Sequence, residues 1–449
     1  MADYVPHTDD DIRRLLADLD LGALDELFAA VPAALRLAGG LDLPGGLSEY
    51  EVADEMRRLA DANSAGGLVC FAGTGAYDHD VPAVVRSIAG RPEFVTSYTP
   101  YQPEVAQGVL QALFEYQTLV SRLAGLPVAN ASLYDGATAL VEAVNLAVGA
   151  TGRSTVWVSQ GVNPRWREVL WALTAGRGLD LVEVPLVDGV TAWPGPEASV
   201  AGSPRQAPPA AVVCASPNVL GCIDPLPAAR AAADAGGALL VAVFDPVASG
   251  LLRTPGEHGA DVAVAEGQPL GTPLSFGGPF LGMFAVSLDH VRRLPGRLVG
   301  RTRDIRGRTA YVTTLRAREQ DIRRERASSN ICTNQTLVAI AAMVQMAWLG
   351  TGGLRELALR CARGTRYLRE ALVPVPGVTA AAGAPVLREF GLRLALPVAT
   401  VVDRMAEEGF LAGVPVELGQ EEVLVVAVTE RRTRAEMDAY ATAMEKVLS

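Results

Sequence analysis

The stretch AAVVCASPNVLGCIDPLPAARAAADAGGALLVAVFD, residues 210–245, decides the fold class. Its ends, AAVVCAS and ALLVAVF, are apolar throughout, with no polar alternation. Between them, LPAARAAADAG (226–236) has helical spacing and ends in glycine. A strand buried on both faces, then a helix, then a second such strand is the unit of a parallel sheet covered on both sides. The alternation extends outward in both directions. TVWVS (155–159), NPRWREVLWALTAG (163–176) and LDLVEVPL (179–186) precede the stretch, and DVAVAEG (261–267) and GMFAVSL (282–288) follow it. Upstream, EVAQGVLQALFEYQTLVSRLAGL (104–126) reads as a long helix. Val105, Val109, Leu113, Tyr116, Val120 and Leu123 form its apolar stripe, and Gly125 ends it.

The flanks have other textures. Residues 8–32 read as a helix capped by Thr8, and 48–60 as a second capped helix, together a helical arm. After about residue 350, GLRLALP, VATVVDRMAEEG, EVLVVAVTE and TRAEMDAYATAME suggest a small α+β domain. The expected architecture is therefore α/β, a mostly parallel sheet with helices on both faces. A smaller C-terminal α+β domain and an N-terminal helical arm complete it. The expected boundaries are 1–65 for the arm, 66–335 for the large domain, and 336–449 for the C-terminal helix and small domain.

A net charge of −11 over 449 residues argues against nucleic acid as a general partner. The acidic start MADYVPHTDDDIRR is no secretory signal, and TLVAIAAMVQMAWLG (336–350) is too short to span a bilayer, so no membrane is expected. Five scattered cysteines and four histidines without ligand spacing point to reduced thiols, a cytoplasmic location and no metal. Residues 292–326 depart from the acidic background. They hold twelve arginines against Asp304, Glu319, Asp321 and Glu325, a local charge of +8. That segment is either a self-paired surface or a docking face for an acidic partner.

Parallel sheets bind ligands beyond the carboxyl ends of their strands. Asp245 stands there, able to pair with a protonated ring nitrogen or to cap the next helix. YDGATA (134–139) offers backbone N–H groups at a helix start, which can hold an anion but need no ligand. FAGTGAYDHD (71–80) is not a dinucleotide fingerprint. Two loops are unusually polar. TSYTPYQPE (96–104) carries Tyr98, Tyr101 and Gln102, and SSNICTNQ (328–335) carries Ser329, Asn330, Thr333 and Asn334.

On these loops the sequence resembles a known family. FAGTGAYDHDVPAVV, TSYTPYQPEVAQGVLQALFEYQTLVSRLAGL, NASLYDGATALVEA, AEGQPLGTPLSFGGPFLG and GRTAYVTTLRAREQDIRRERASSNICTNQ closely resemble the glycine cleavage system P-protein, and VTERRTRAEMDAY does so near the C-terminus. The likeness is to its N-terminal half, which many bacteria make as a separate subunit 1. The resemblance implies a fold-type-I, pyridoxal-phosphate-dependent transferase-like fold. It places Asp245 at the acid that pairs with the cofactor ring, and Thr138 near an aromatic stacker that this chain lacks. The lysine that would hold the cofactor falls near Gln268 and Pro269, while the one lysine present is Lys446, three residues from the C-terminus. A Schiff base needs a primary amine. The resemblance therefore implies a lysine-free subunit with a vestigial Asp245 and with pyridoxal phosphate on subunit 2. The pair would decarboxylate glycine and pass the aminomethyl group to the lipoyl arm of the H-protein, in an assembly of two copies of each subunit. Tyr98, Tyr101, Gln102, Ser329, Asn330, Thr333 and Asn334 are the candidate wall of the shared site. Two alternatives stay open: an enzyme complete in itself that holds an amine-form cofactor without a covalent bond, and a purely structural assembly subunit.

Overall fold

The apolar runs become the strands of one seven-stranded sheet: β1 Val128–Ala129, β2 Thr155–Ser159, β3 Asp180–Val184, β4 Ala211–Ser216, β5 Leu239–Phe244, β6 Val262–Glu266 and β7 Gly282–Val286. The computed structural model describes residues 6–449 apart from 38, 40, 98, 195–207, 276 and 420. Across the sheet the order is β1-β7-β6-β5-β4-β2-β3. Strands β2 to β6 run parallel to one another, and β7 runs against β6 and β1.

The lack of alternation has a direct cause, because both faces are covered. In β6, Val262 and Val264 join a core built with Leu140 and Val144, whereas Ala263 and Ala265 join Leu113 and Tyr116. The first pair of partners lies on a helix at Gly136–Thr151 and the second on one at Gln107–Ala124. In chain order the helices are α1 Asp9–Asp18, α2 Glu49–Asp61, α3 Ala83–Ala89, α4 Gln107–Ala124, α5 Gly136–Thr151, α6 Pro164–Thr174 and α7 Leu226–Gly236. Of the stripe expected of 104–126, Val109, Leu113, Tyr116 and Val120 are buried on α4 and Leu123 is half-buried, whereas Val105 precedes the helix and is exposed; Gly125 closes α4 in the left-handed region at φ +68°.

Helix α8, Thr336–Leu372, runs well past the expected residue 350 and breaks at Gly350 (φ +59°, ψ −173°). By length and composition it is the one described helix long and apolar enough to cross a membrane. Ala339, Ile340 and Met343 nevertheless pack in the core with Val85 of α3 and Leu110 of α4, as in a buried helix. Beyond it, β10 Val378–Ala380, β11 Glu389–Leu394, β12 Val414–Leu418 and β13 Glu421–Ala427 form an antiparallel sheet in the order β10-β11-β13-β12; β8 Leu298–Arg303 and β9 Thr309–Thr314 are a separate hairpin. Helices α9 Val398–Glu407 and α10 Arg434–Leu448 cover that sheet. Residues upstream of the large sheet are stitched into this layer. Val69–Cys70 pairs in parallel with Phe410–Leu411, and the Phe71 ring lies 4.4 Å from that of Tyr440. That stitch carries the loop 71–80 to the start of β11.

The chain divides into two compact units, Met1–Ser64 and Ala65–Ser449. In the first, the helix expected over 8–32 stops at Asp18. Asp20 is left-handed at φ +55°, and Leu24–Phe28 forms a 3-10 turn. The leucine periodicity continues, but no residue of that turn is buried to hold a helix.

Candidate active site

Strands β5 and β6 end side by side, and each delivers a carboxylate. Asp245 follows β5, and Glu266 is the last residue of β6. The start of β11 brings Arg388 and Glu389 against them, both almost fully buried. Arg388 Nη2 lies 2.7 Å from Asp245 Oδ2. Its Nη1 donates to His79 Nε2 at 2.8 Å, so the His79 proton sits on Nδ1, facing Glu430 at 2.6 Å. The guanidinium stacks on the Tyr77 ring at 3.4 Å from its centroid. Burial works against the Arg388 charge, but Asp245, Tyr77 and Glu389 hold it, and its pKa is raised. The other Asp245 oxygen, Oδ1, accepts from Val247 N at 2.9 Å, a turn just ahead of the 3-10 helix Ala248–Gly250, whose N-cap is Val247 and not Asp245.

A second anchor lies at the start of α5. Glu266 Oε2 accepts the Gly136 N–H at 2.9 Å, while Oε1 accepts those of Gln268 and Leu281 at 2.9 and 2.8 Å. Burial pushes Glu266 up to about 7, against three N–H donors that favour the anion. Trp166 of α6 covers Gly136 so closely that a Cβ there would lie 2.2 Å from its ring. At the position expected for a lysine, Gln268 is buried and spans two loops. It accepts from Tyr77 N at 2.9 Å and donates to Tyr77 O and Thr272 O at 3.0 and 2.8 Å. Glu389 in turn accepts the Tyr77 hydroxyl at 3.0 Å and Thr74 N at 2.9 Å, and burial pushes it up to about 7.

These residues do not fit pyridoxal phosphate. Arg388 already occupies the acid that would meet the ring nitrogen. A carboxylate already occupies the helix start that would meet the phosphate. No lysine is near, and the space left between Asp245, Trp166 and Arg388 is about 80 Å³. Sites for molecules of drug size run to roughly 300–1,000 Å³. Thr138, expected near the missing ring stacker, closes a capping box with Asp135 instead. Beside this cluster His79, Cys361 and Glu430 bring possible ligand atoms within 4.8 Å of one another, a grouping invisible in the sequence spacing. Both His79 nitrogens are already hydrogen-bonded there.

None of the six described candidate wall residues lines the Asp245 cluster. Tyr98 lies outside the described residues. Tyr101 and Asn334 meet instead around Arg297, which is 6% exposed. The Arg297 guanidinium lies 5.3 Å from the Tyr101 ring centroid, and Arg297 donates to Asn334 Oδ1 at 3.1 Å and to Cys332 O at 2.9 Å. Asn334 Nδ2 donates to Ser132 Oγ at 2.8 Å and to Ala131 O at 3.2 Å. Ser132 is held at φ +138°, strained for a residue other than glycine. Tyr134 Oη accepts from Cys332 N at 3.3 Å. Ser329 accepts from Ile331 N at 3.1 Å and bonds Glu142 of α5. Gln102 is exposed beside Tyr101, Asn330 is exposed, and Thr333 is half-buried. Two polar centres result, one filled by the chain's own charges and one open at Tyr101.

Sequence reasoning missed Arg297, Glu266, Arg388 and Glu389. Glu266 ends an apolar strand, as Asp245 nearly does, and that position was its signal. Arg388 and Glu389 come from the other domain and carry no local signal.

The fold and the sequence agree with known proteins. The family model for the glycine cleavage system P-protein matches residues 2–444. A protein of Moorella thermoacetica named probable glycine dehydrogenase (decarboxylating) subunit 1 is 47% identical, over 99% of this chain and 100% of the relative. The protein of the same name from Prosthecochloris aestuarii is 45% identical over 97% and 98%. A crystal structure of glycine decarboxylase (P-protein) of the glycine cleavage system, in inhibitor-bound form, superposes with a TM-score of 0.90 at 45% identity, covering 100% of both chains. Mouse CSAD, at 14% identity and a TM-score of 0.66, shares the fold alone. The expected transferase-like fold is thus the one observed, and the chain belongs to the glycine cleavage system P-protein family.

Proposed function

We propose that this chain is the half of a two-subunit glycine decarboxylase that builds the wall of the active site without holding the cofactor. Subunit 2 carries pyridoxal phosphate, which supplies the electron sink for decarboxylation. The product aminomethyl group passes to the lipoyl arm of the H-protein, and the working assembly holds two copies of each subunit in the cytoplasm. The observation that carries this reading is the cradle at Asp245, closed by Arg388 and Glu266 within the chain itself. It leaves no room for the non-covalent cofactor of a self-contained enzyme. The contribution to catalysis is then made at the Tyr101–Arg297–Asn334 centre, beside a cavity lined by Tyr101, Gln102, Thr99 and Val105. In this reading Tyr98, Tyr101, Gln102, Ser329, Asn330, Thr333 and Asn334 face the partner's cofactor or its lipoyl entrance. The arm 1–65, the large domain 66–335 and the C-terminal part 336–449 serve association, scaffold and closure respectively.

Exposed Leu15, Leu19, Leu27, Phe28, Leu35 and Leu37 of the arm support a partner subunit, since such apolar surface marks an interaction site. The test is reconstitution. The isolated chain should be colourless with added pyridoxal phosphate and should not exchange the glycine carboxyl carbon with bicarbonate, while added subunit 2 restores exchange. Asn334→Ala should then lower turnover about tenfold without dissociating the complex, consistent with one lost hydrogen bond at the transition state. Exchange by the chain alone would overturn the subunit reading. Unchanged turnover in Asn334→Ala and Tyr101→Phe together would leave an assembly role only.

A further inference from the structure

Eleven of the twelve arginines between 292 and 326 fall into separate groups. Arg297 braces Tyr101 and Asn334. Arg301 and Arg303 lie on β8, with Arg306 and Arg308 at the hairpin turn where Arg308 pairs with Asp304 at 2.8 Å. Arg316 pairs with Asp321 at 2.7 Å. Five others, Arg292, Arg293, Arg318, Arg323 and Arg326, meet Arg177 from beyond α6 around a single cavity of about 560 Å³. Its floor is Asn145, Leu146 and Gly149 of α5, and no carboxylate is among its described lining residues.

Uncharged acceptors hold these guanidinium groups. Arg318 donates to Leu294 O and Gly296 O, and its buried Nε has no hydrogen-bond partner. Arg323 donates to Ala317 O at 3.1 Å, and Arg177 to Asn145 Oδ1. Among the described residues, the one ion pair of these arginines is loose, Glu325 at 3.8 Å from Arg326, while Glu142 and Glu319 act on Arg177 and Arg318 from beyond ion-pair distance. Arginines converging from three segments repel one another, and carbonyls do not cancel their charge. The concavity has the size of a small-molecule site, and the guanidinium fork matches phosphate oxygens two at a time.

We propose that this cavity is a binding site for a compact polyanion, a small molecule bearing phosphate groups, separate from the glycine site and independent of the glycine reading. Ser328 lines the cavity and opens the loop that ends at Asn334. An anion seated there would steady the loop that carries the Arg297 centre.

The experiment uses the complex assembled with subunit 2, titrated calorimetrically with inorganic pyrophosphate at low ionic strength. One site per copy of this chain is expected, weakening as salt rises and at least tenfold tighter than citrate. Arg293→Gln with Arg323→Gln should weaken pyrophosphate at least tenfold, with the melting temperature and the glycine turnover measured without pyrophosphate unchanged. If that variant fails to fold, Arg292→Gln with Arg326→Gln should give the same loss. Absence of binding, equal affinity in the folded variant, or citrate binding the tighter would overturn the proposal. Binding to the isolated chain but not to the complex would also overturn it, showing a face covered by the partner protein.

Discussion

Arg388 is the residue on which the cradle turns. It is 4% exposed and meets Asp245, the Tyr77 ring and His79 at once. Removing one partner of a buried ion pair leaves a charge with no counterion, at a cost of about 3–5 kcal/mol. Arg388→Met should therefore lower the stability measured by chemical denaturation by about that amount. Arg388→Met with Asp245→Asn should recover much of it, because both charges then go together. Additive losses in this double-mutant cycle would mean that the two side chains do not act as a pair. Glu389 makes a pH prediction. Its folded pKa of about 7 stands above the ordinary value of 4.5, so the folded chain holds the proton longer than the unfolded one. Its contribution is present below pH 4.5, falls as pH rises from 4.5 to 7, and is gone above 7. The amount is on the order of 3 kcal/mol. Glu389→Gln, whose amide can still bond Tyr77 and Thr74, should flatten stability across that window. An unchanged slope between pH 5 and 8 would place the proton elsewhere.

Helix α5 shows how an element can be legible while its purpose is not. The YDGATA start is readable from local chemistry, and the structure keeps it, with Asp135 as its cap and Gly152 at its end. What sits on its first turn is set at long range by Glu266 and Trp166. Gly136→Ala should destabilise the chain by about 1–3 kcal/mol, since the added methyl meets Trp166 at 2.2 Å. Trp166→Ala in the same chain should relieve part of that clash in thermal melts. No relief would mean that backbone strain, not Trp166, sets the cost. Strands β4, β5 and β6 were readable because burial on both faces leaves an apolar run bounded by turn residues. The long helix expected at 8–32 was misread because leucine spacing alone does not show whether anything buries the leucines. Arg297 was hidden among twelve arginines of one segment, where composition cannot separate a brace from a surface charge. Tyr101 and Asn334 stood out as polar residues in odd company, but only the fold brought them to one guanidinium.

At the scale of the molecule the two units behave differently. Helices α1 and α2 bury no residue, whereas 65–449 contains the described cores. A chain beginning at residue 65 should melt within a few degrees of the full one yet bind subunit 2 more weakly in analytical ultracentrifugation. Equal association of both would remove the arm from the interface.

The closed cradle also bears on supply. A protein that must bind its cofactor to be stable gains stability in proportion to the logarithm of cofactor concentration, and it loses that gain when the cofactor runs short. This chain carries the opposing charges in its own sequence, at fixed stoichiometry, as Arg388 and Glu266. Its folding is thereby uncoupled from vitamin B6. On the proposal that the partner subunit carries the cofactor, scarcity of the vitamin would leave the stability of this chain unchanged.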